Sequence, residues 1–244
     1  MMIRPVCISD LVRYSLVLLL FFALFAKLAR AEVSAELCGP ISLPMQFGPY
    51  DYRTDKDKLT IVEVAHFTAQ VEALLRGQSS ASFAGDINYT LQRFPNHHRA
   101  LVSVMRMVDR KMLAVHELPR LPECYFERAL RWRKDDVVAR MLYAKFLADQ
   151  NRKHEAIHQL EITERYAADN PLTHRNLGRL LIEMREYPSA LAQAYKLLKL
   201  DPADTSLRES LTLVGQWREP EVATQPDVGL TVAAPEPAPA ASAR

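Results

Sequence analysis

Residues 154–158, His-Glu-Ala-Ile-His, have the spacing that most directly suggests chemistry. Two histidines four positions apart share one face of a helix, where they can bind zinc while the glutamate between them activates water. A catalytic site needs a third protein ligand. Glu161, Ile162 and Glu164 follow, where an extended zinc-hydrolase motif would place another histidine. The competing reading is a solvated helix face, in which Glu155, Ala156 and Ile157 are the ordinary start of an amphipathic helix. We adopt it: no catalytic, cofactor-binding or metal residue is assigned, and a zinc-dependent hydrolase stays as an alternative. His97 and His98 are adjacent and so point in different directions, which suits turn or cap roles better than a shared metal. Asn88-Tyr89-Thr90 matches a glycosylation acceptor but falls inside a predicted helix. The chain contains no nucleophile elbow, P-loop or dinucleotide fingerprint.

The elements that would carry such residues repeat. Over 137–202 two segments superimpose at a step of 34, aligning Ala144 with Gly178, Leu147 with Leu181, Ala156 with Ala190 and Leu160 with Ala194. The second segment has Leu177-Gly178, Tyr187, Ala190, Ala194 and a closing Asp201-Pro202, and resembles a tetratricopeptide repeat. The first keeps the same beat without the closing proline. In such a unit small residues let two helices approach, and the apolar face it cannot bury alone forces stacking on neighbours. The resemblance implies an all-α fold, a right-handed α-α superhelix over 58–217, with its clearest repeats at 137–170 and 171–204.

In that family the first helix of each unit lines the concave face. The matching positions are Met141, Lys145, Asp149, Arg175, Asn176, Arg179 and Glu183. Lys145, Arg175, Asn176 and Arg179 resemble the basic and amide groups with which some repeats hold a peptide carboxylate. The pattern is incomplete: Met141 stands where a lysine would sit, and Asp149 and Glu183 add opposing charge. A mixed-charge solvated face is the alternative.

Composition and charge narrow the classes. Of 244 residues, 49% are hydrophobic and 25% charged, a soluble globular balance; seven glycines argue against an all-β fold or a glycine-rich phosphate site. Formal charge is +2, but Arg4, Arg13, Lys27 and Arg30 lie in the first 31 residues against Asp10 alone. The remainder holds 27 basic and 28 acidic groups, so nothing electrostatic favours nucleic acid.

The N-terminus has a basic start, an apolar run over 14–26 and then Ala29-Arg30-Ala31, which resembles a signal peptide cut after Ala31. Thirteen residues make roughly 20 Å of helix against a hydrocarbon core of ~30 Å. A periplasmic, bacterial location follows; membrane contact, as an inner-membrane anchor facing the periplasm, arises only if the segment stays uncleaved. Cys7 would leave with it, so Cys38 and Cys124 remain as an even pair in an oxidising compartment. They either form a disulfide, closing a loop of about 87 residues, or stay as two free buried thiols.

Residues 32–57 read as an extended segment, with prolines and glycines across 39–49 and an aromatic, charged cluster at Tyr50-Asp51-Tyr52-Arg53. Helices are expected at 55–67, 69–76 (stopped by Gly77), 86–94, 99–111, 123–133, 137–149, 153–167, 172–184 and 188–199. A capping helix should span 203–217, using Leu207, Leu211 and Val214. Phrases within 47–101 (FGPYDYR, AHFT, DINYTLQRFPNHHRAL) are similar to those of a group of bacterial repeat proteins of unassigned activity. From 218 to 244 five prolines in 27 residues predict a disordered tail. The function this implies is a non-enzymatic scaffold without cofactors that binds a protein or peptide segment in the cell envelope. The alternative is a structural subunit of an envelope complex that assembles through the N-terminal aromatic segment.

Overall fold

The computed structural model describes residues 36–41, 47–112 and 118–220. The signal-like segment 1–31 and nearly all of the proline-rich tail lie outside these residues. Within them all regular structure is helical: α1 Lys56–His66, α2 Ala69–Glu72, α3 Phe83–Arg93, α4 His98–Asp109, α5 Pro122–Trp132, α6 Val137–Asp149, α7 Lys153–Ala167, α8 Pro171–Glu183, α9 Tyr187–Leu200 and α10 Ser206–Leu213. None of these is long and apolar enough to cross a membrane.

Local chemistry sets the helix ends. Asp136 caps α6 by accepting the Ala139 N–H at 3.0 Å, and Asn170 caps α8 by accepting the Thr173 N–H at 3.2 Å, followed by Pro171 at the first helical position. At the far ends of α6 and α8 the chain turns through Asn151 and Arg185, both at φ 60°. The next N–H then reaches back five residues, Arg152 to the Leu147 carbonyl and Glu186 to the Leu181 carbonyl. The cap, the left-handed turn and the back-reaching bond each recur at 34 residues, whereas the first-position proline does not.

The packing is serial. α6 pairs with α7 and α8 with α9, while α4, α6, α8 and α10 touch in succession, so the substantial contacts join elements one or two places apart. One apolar core runs from Phe67 to Leu211; a smaller one gathers Leu59, Val62 and Phe94 under Tyr50, Tyr52 and Tyr89. Ala144, Ala156, Ala190 and Ala194 are fully buried, which brings the paired helices together. Gly178 goes further: a Cβ there would stand 2.3 Å from a Leu207 methyl, so the missing side chain is the seat for α10.

Three boundaries differ from those read in the sequence. α2 stops at Glu72 because Leu74 turns left-handed at φ 61°, which leaves Leu75 73% exposed instead of inward. Gly77 serves close approach instead of helix termination, since a Cβ would meet the Ser80 carbonyl oxygen at 2.3 Å. α3 opens at Phe83, capped by Ser82, and not at Asp86. Fully buried Asp86 instead accepts the N–H groups of Gln78, Ser79 and Ser80 and pairs with His66 at 2.7 Å. α10 ends at Leu213, and Val214 is exposed.

Candidate functional site

The helix face expected to form a groove is only partly available. Met141 is 6% exposed within the main apolar core and so offers no surface to a groove. Arg175 is already engaged, its guanidinium donating to Asp204 at the approach to α10. Lys145 pairs with Asp149 and lies 3.9 Å from Glu183. Burial opposes its charge, but the Asp149 carboxylate outweighs that and raises its pKa. Lys145, Asp149, Asn151, Lys153, Glu183 and Arg185 surround a cleft of about 420 Å³ between the α6–α7 and α8–α9 turns. Asn176 is half-buried; Arg179 is exposed and has no side-chain partner among the described residues. The face therefore offers one uncommitted guanidinium beside internally balanced charges.

The histidine motifs do not converge. Ala156 is buried, whereas His154 and His158 are exposed, and His158 lies nearest Glu161 at 3.5 Å. Among the described residues no three histidine, cysteine or carboxylate side chains gather to hold a metal ion. His97 caps α4: its Nδ1 accepts the Ala100 N–H, so Nε2 carries the proton and donates to Glu63 at 3.0 Å. Burial lowers its pKa and Glu63 works against that. His98 turns the other way, to both Asp136 oxygens at 2.9 Å. Asn88 lies within α3 and accepts from Tyr125 and Arg120.

The densest polar chemistry lies where 50–53 meets the turns after α3 and α5. Asp51, 3% exposed, accepts from Arg53, from Asn96 at 2.8 Å and from Arg133 at 2.7 Å. Burial alone would raise its pKa, but these donors hold it far below the usual carboxylate range. Asn96 also donates to Asp136 and accepts the Tyr52 N–H. Arg53 reaches on to Asp135. The sequence shows these residues as separate clusters 37 or more positions apart, and no local pattern joins them.

Upstream, residues 36–41, which begin in a helical turn and not in the extended form expected, lie on α5, and Phe47 meets α3. Cys38 and Cys124 are joined by a disulfide, with Cα atoms 5.0 Å apart. Arg131 donates to the Gly39 carbonyl at 2.9 Å, and Arg128 to those of Pro40 and Ile41. Further along, Arg93 donates to the Phe47 carbonyl and the Trp132 indole to that of Tyr50. Arg128 is 3% exposed; burial, followed by the charges of Arg120 and Arg131, pushes its pKa down to about 10. Across 36–41 only Cys38 is buried. Ordering those six residues costs about 9 kcal/mol. Three bonds from charged guanidiniums return about 6 kcal/mol, and the cross-link supplies about 4–5 kcal/mol. Without the covalent bond the segment falls short.

No family model matches this chain, and no curated protein matches it.

Proposed function

We propose that this chain is a non-enzymatic repeat scaffold of the tetratricopeptide type, exported to the bacterial periplasm, that holds a segment of a partner protein against α6 and α8. On this reading 58–217 winds as a right-handed α-α solenoid, with units at 137–170 and 171–204 and α10 as its cap. The observation that carries it is the 34-residue register of the hydrogen bonds. Arg140, Gln159 and Lys134 in one unit are matched by His174, Gln193 and Ala168 in the next. Units of that kind stack to make an extended recognition face. The Cys38–Cys124 bond supports an oxidising compartment.

Of the basic groove positions Arg179 is the one to test, since Arg175 already serves Asp204. The full chain, used as bait in solubilised envelope, should retain a partner that Arg179→Ala releases. The loss should match one charge-assisted hydrogen bond, about 1.5–3 kcal/mol. Retention by that variant, together with release on deleting 39–58, would instead favour assembly through the N-terminal aromatic segment. Stoichiometric zinc in chelator-washed protein, lost on His158→Ala, would revive the hydrolase.

A further inference from the structure

We infer that Arg120, Arg128 and Arg131 form a docking shelf for an acidic protein segment, covered in the oxidised chain by residues 36–41 and latched by the Cys38–Cys124 bond. Cys124, Arg128 and Arg131 stand at i, i+4 and i+7 on α5, so the latch cysteine heads the stripe of arginines it covers. Arg120 lies beside them, donating to Asn88. No carboxylate among the described residues pairs with any of the three, whereas Arg53, Arg99, Arg152 and Arg175 each have one. Their partners are neutral oxygens: three carbonyls of the covering segment and one amide. The Nε of Arg131 is buried and unpaired.

Carboxylates would convert these into charge-assisted, two-pronged contacts, which is the complementarity an acidic segment provides. The cover cannot compete on its own. Only Cys38 is fully buried within 36–41, Leu37 is 62% exposed and Ile41 is half-buried, so little apolar surface anchors it once the sulfur is released.

Opening is a thiol–disulfide exchange with a dithiol. One thiolate attacks a sulfur of the Cys38–Cys124 bond and expels the other as a thiol. The second thiolate then resolves the mixed disulfide, leaving both cysteines protonated and the dithiol oxidised. Cys38 and Cys124 are 4% and 2% exposed, so exchange waits for the segment to lift, which makes the latch slow.

The test is fluorescence anisotropy of a labelled hexaglutamate peptide with the full exported chain, unreduced or held in dithiothreitol, and with Cys38→Ser. Reduced wild type and Cys38→Ser should bind at least about tenfold more tightly than the unreduced chain, the gain of one charge-assisted hydrogen bond. Arg128→Gln or Arg131→Gln in the reduced state should abolish the gain. Equal affinity of oxidised and reduced chains, or indifference to Arg131→Gln, would overturn the inference. So would tighter binding of an oligonucleotide of equal charge, which would mark a nucleic-acid site. Circular dichroism runs alongside: if Cys38→Ser fails to fold, reduced wild type decides, and loss of helix in both shows the segment to be core and not a cover.

Discussion

His174 stands 34 residues after Arg140 and makes the same two contacts. Arg140 donates at 2.8 Å to the Gln159 amide oxygen and to the Lys134 carbonyl; His174 meets the Gln193 amide oxygen at 2.8 Å and the Ala168 carbonyl at 2.9 Å. Each residue ties the first helix of its unit both to the second helix and to the turn before it. Both imidazole nitrogens face acceptors, so the ring fills a place made for two donors. His174→Ala should therefore cost about 2–3 kcal/mol in urea unfolding by leaving buried acceptors unpaired, whereas His174→Arg should stay within about 1 kcal/mol of wild type. Equal losses would refute the equivalence.

Gly178 and Leu207 make a notch and its filler. Gly178→Ala gains about 1 kcal/mol of helix propensity, but it crowds a fully buried leucine at a cost of about 1–3 kcal/mol, so a small net loss is expected. The sharper readout is the double-mutant cycle. In a Leu207→Ala background Gly178→Ala should become stabilising, because the clash is gone and the propensity gain remains. Additive effects would rule out the notch.

Arg185 holds a left-handed turn at φ 60° with an exposed side chain. Arg185→Gly should raise stability by about 0.5–1 kcal/mol, visible as a higher Tm, since glycine has no Cβ to crowd the following carbonyl. Asn151→Gly should gain less, because asparagine tolerates that region better than arginine. A loss at Arg185 would show that its side chain serves the fold.

Acid should destabilise the protein in two stages. Burial lowers the pKa of His97 below its ordinary 6.5, so below that pH the unfolded chain binds the proton first and this residue's contribution falls. Asp51, Glu63, Asp86 and Asp136 are all lowered from 3.8 or 4.5, so their contribution is intact above those values and is lost as pH falls through the lowered ones. Urea midpoints measured from pH 8 to 3 should show a first decline below about 6.5 and a steeper one below about 4.5. His97→Asn, which keeps a capping acceptor, should flatten the first. An unchanged first decline would assign it elsewhere.

The periodic apolar positions were enough to show helix after helix, because an amphipathic repeat writes its period into any stretch of about a dozen residues. The bounds 137–149 and 153–167 were legible for the same reason, although only the first helix has a side-chain cap, Asp136. Shorter elements were not. Leu74 and Leu75 have the right spacing for an inward face, yet a left-handed turn at Leu74 sends Leu75 outward. The groove positions could be numbered from the step of 34, but not their state: Met141 is buried in the core and Arg175 is claimed by Asp204.

What the chain determined by itself was thus its helical period, its 34-residue beat and the pairing candidates Cys38 and Cys124. Only the tertiary structure decided that Asp51, Asn96, His98 and Asp136 form one network, that Arg128 and Arg131 hold the carbonyls of 39–41, and that His174 stands in for Arg140. Period is a local property, carried by neighbours within a turn or two. Polar pairing across 38 to 92 residues depends on where whole helices come to rest, and no local pattern encodes that.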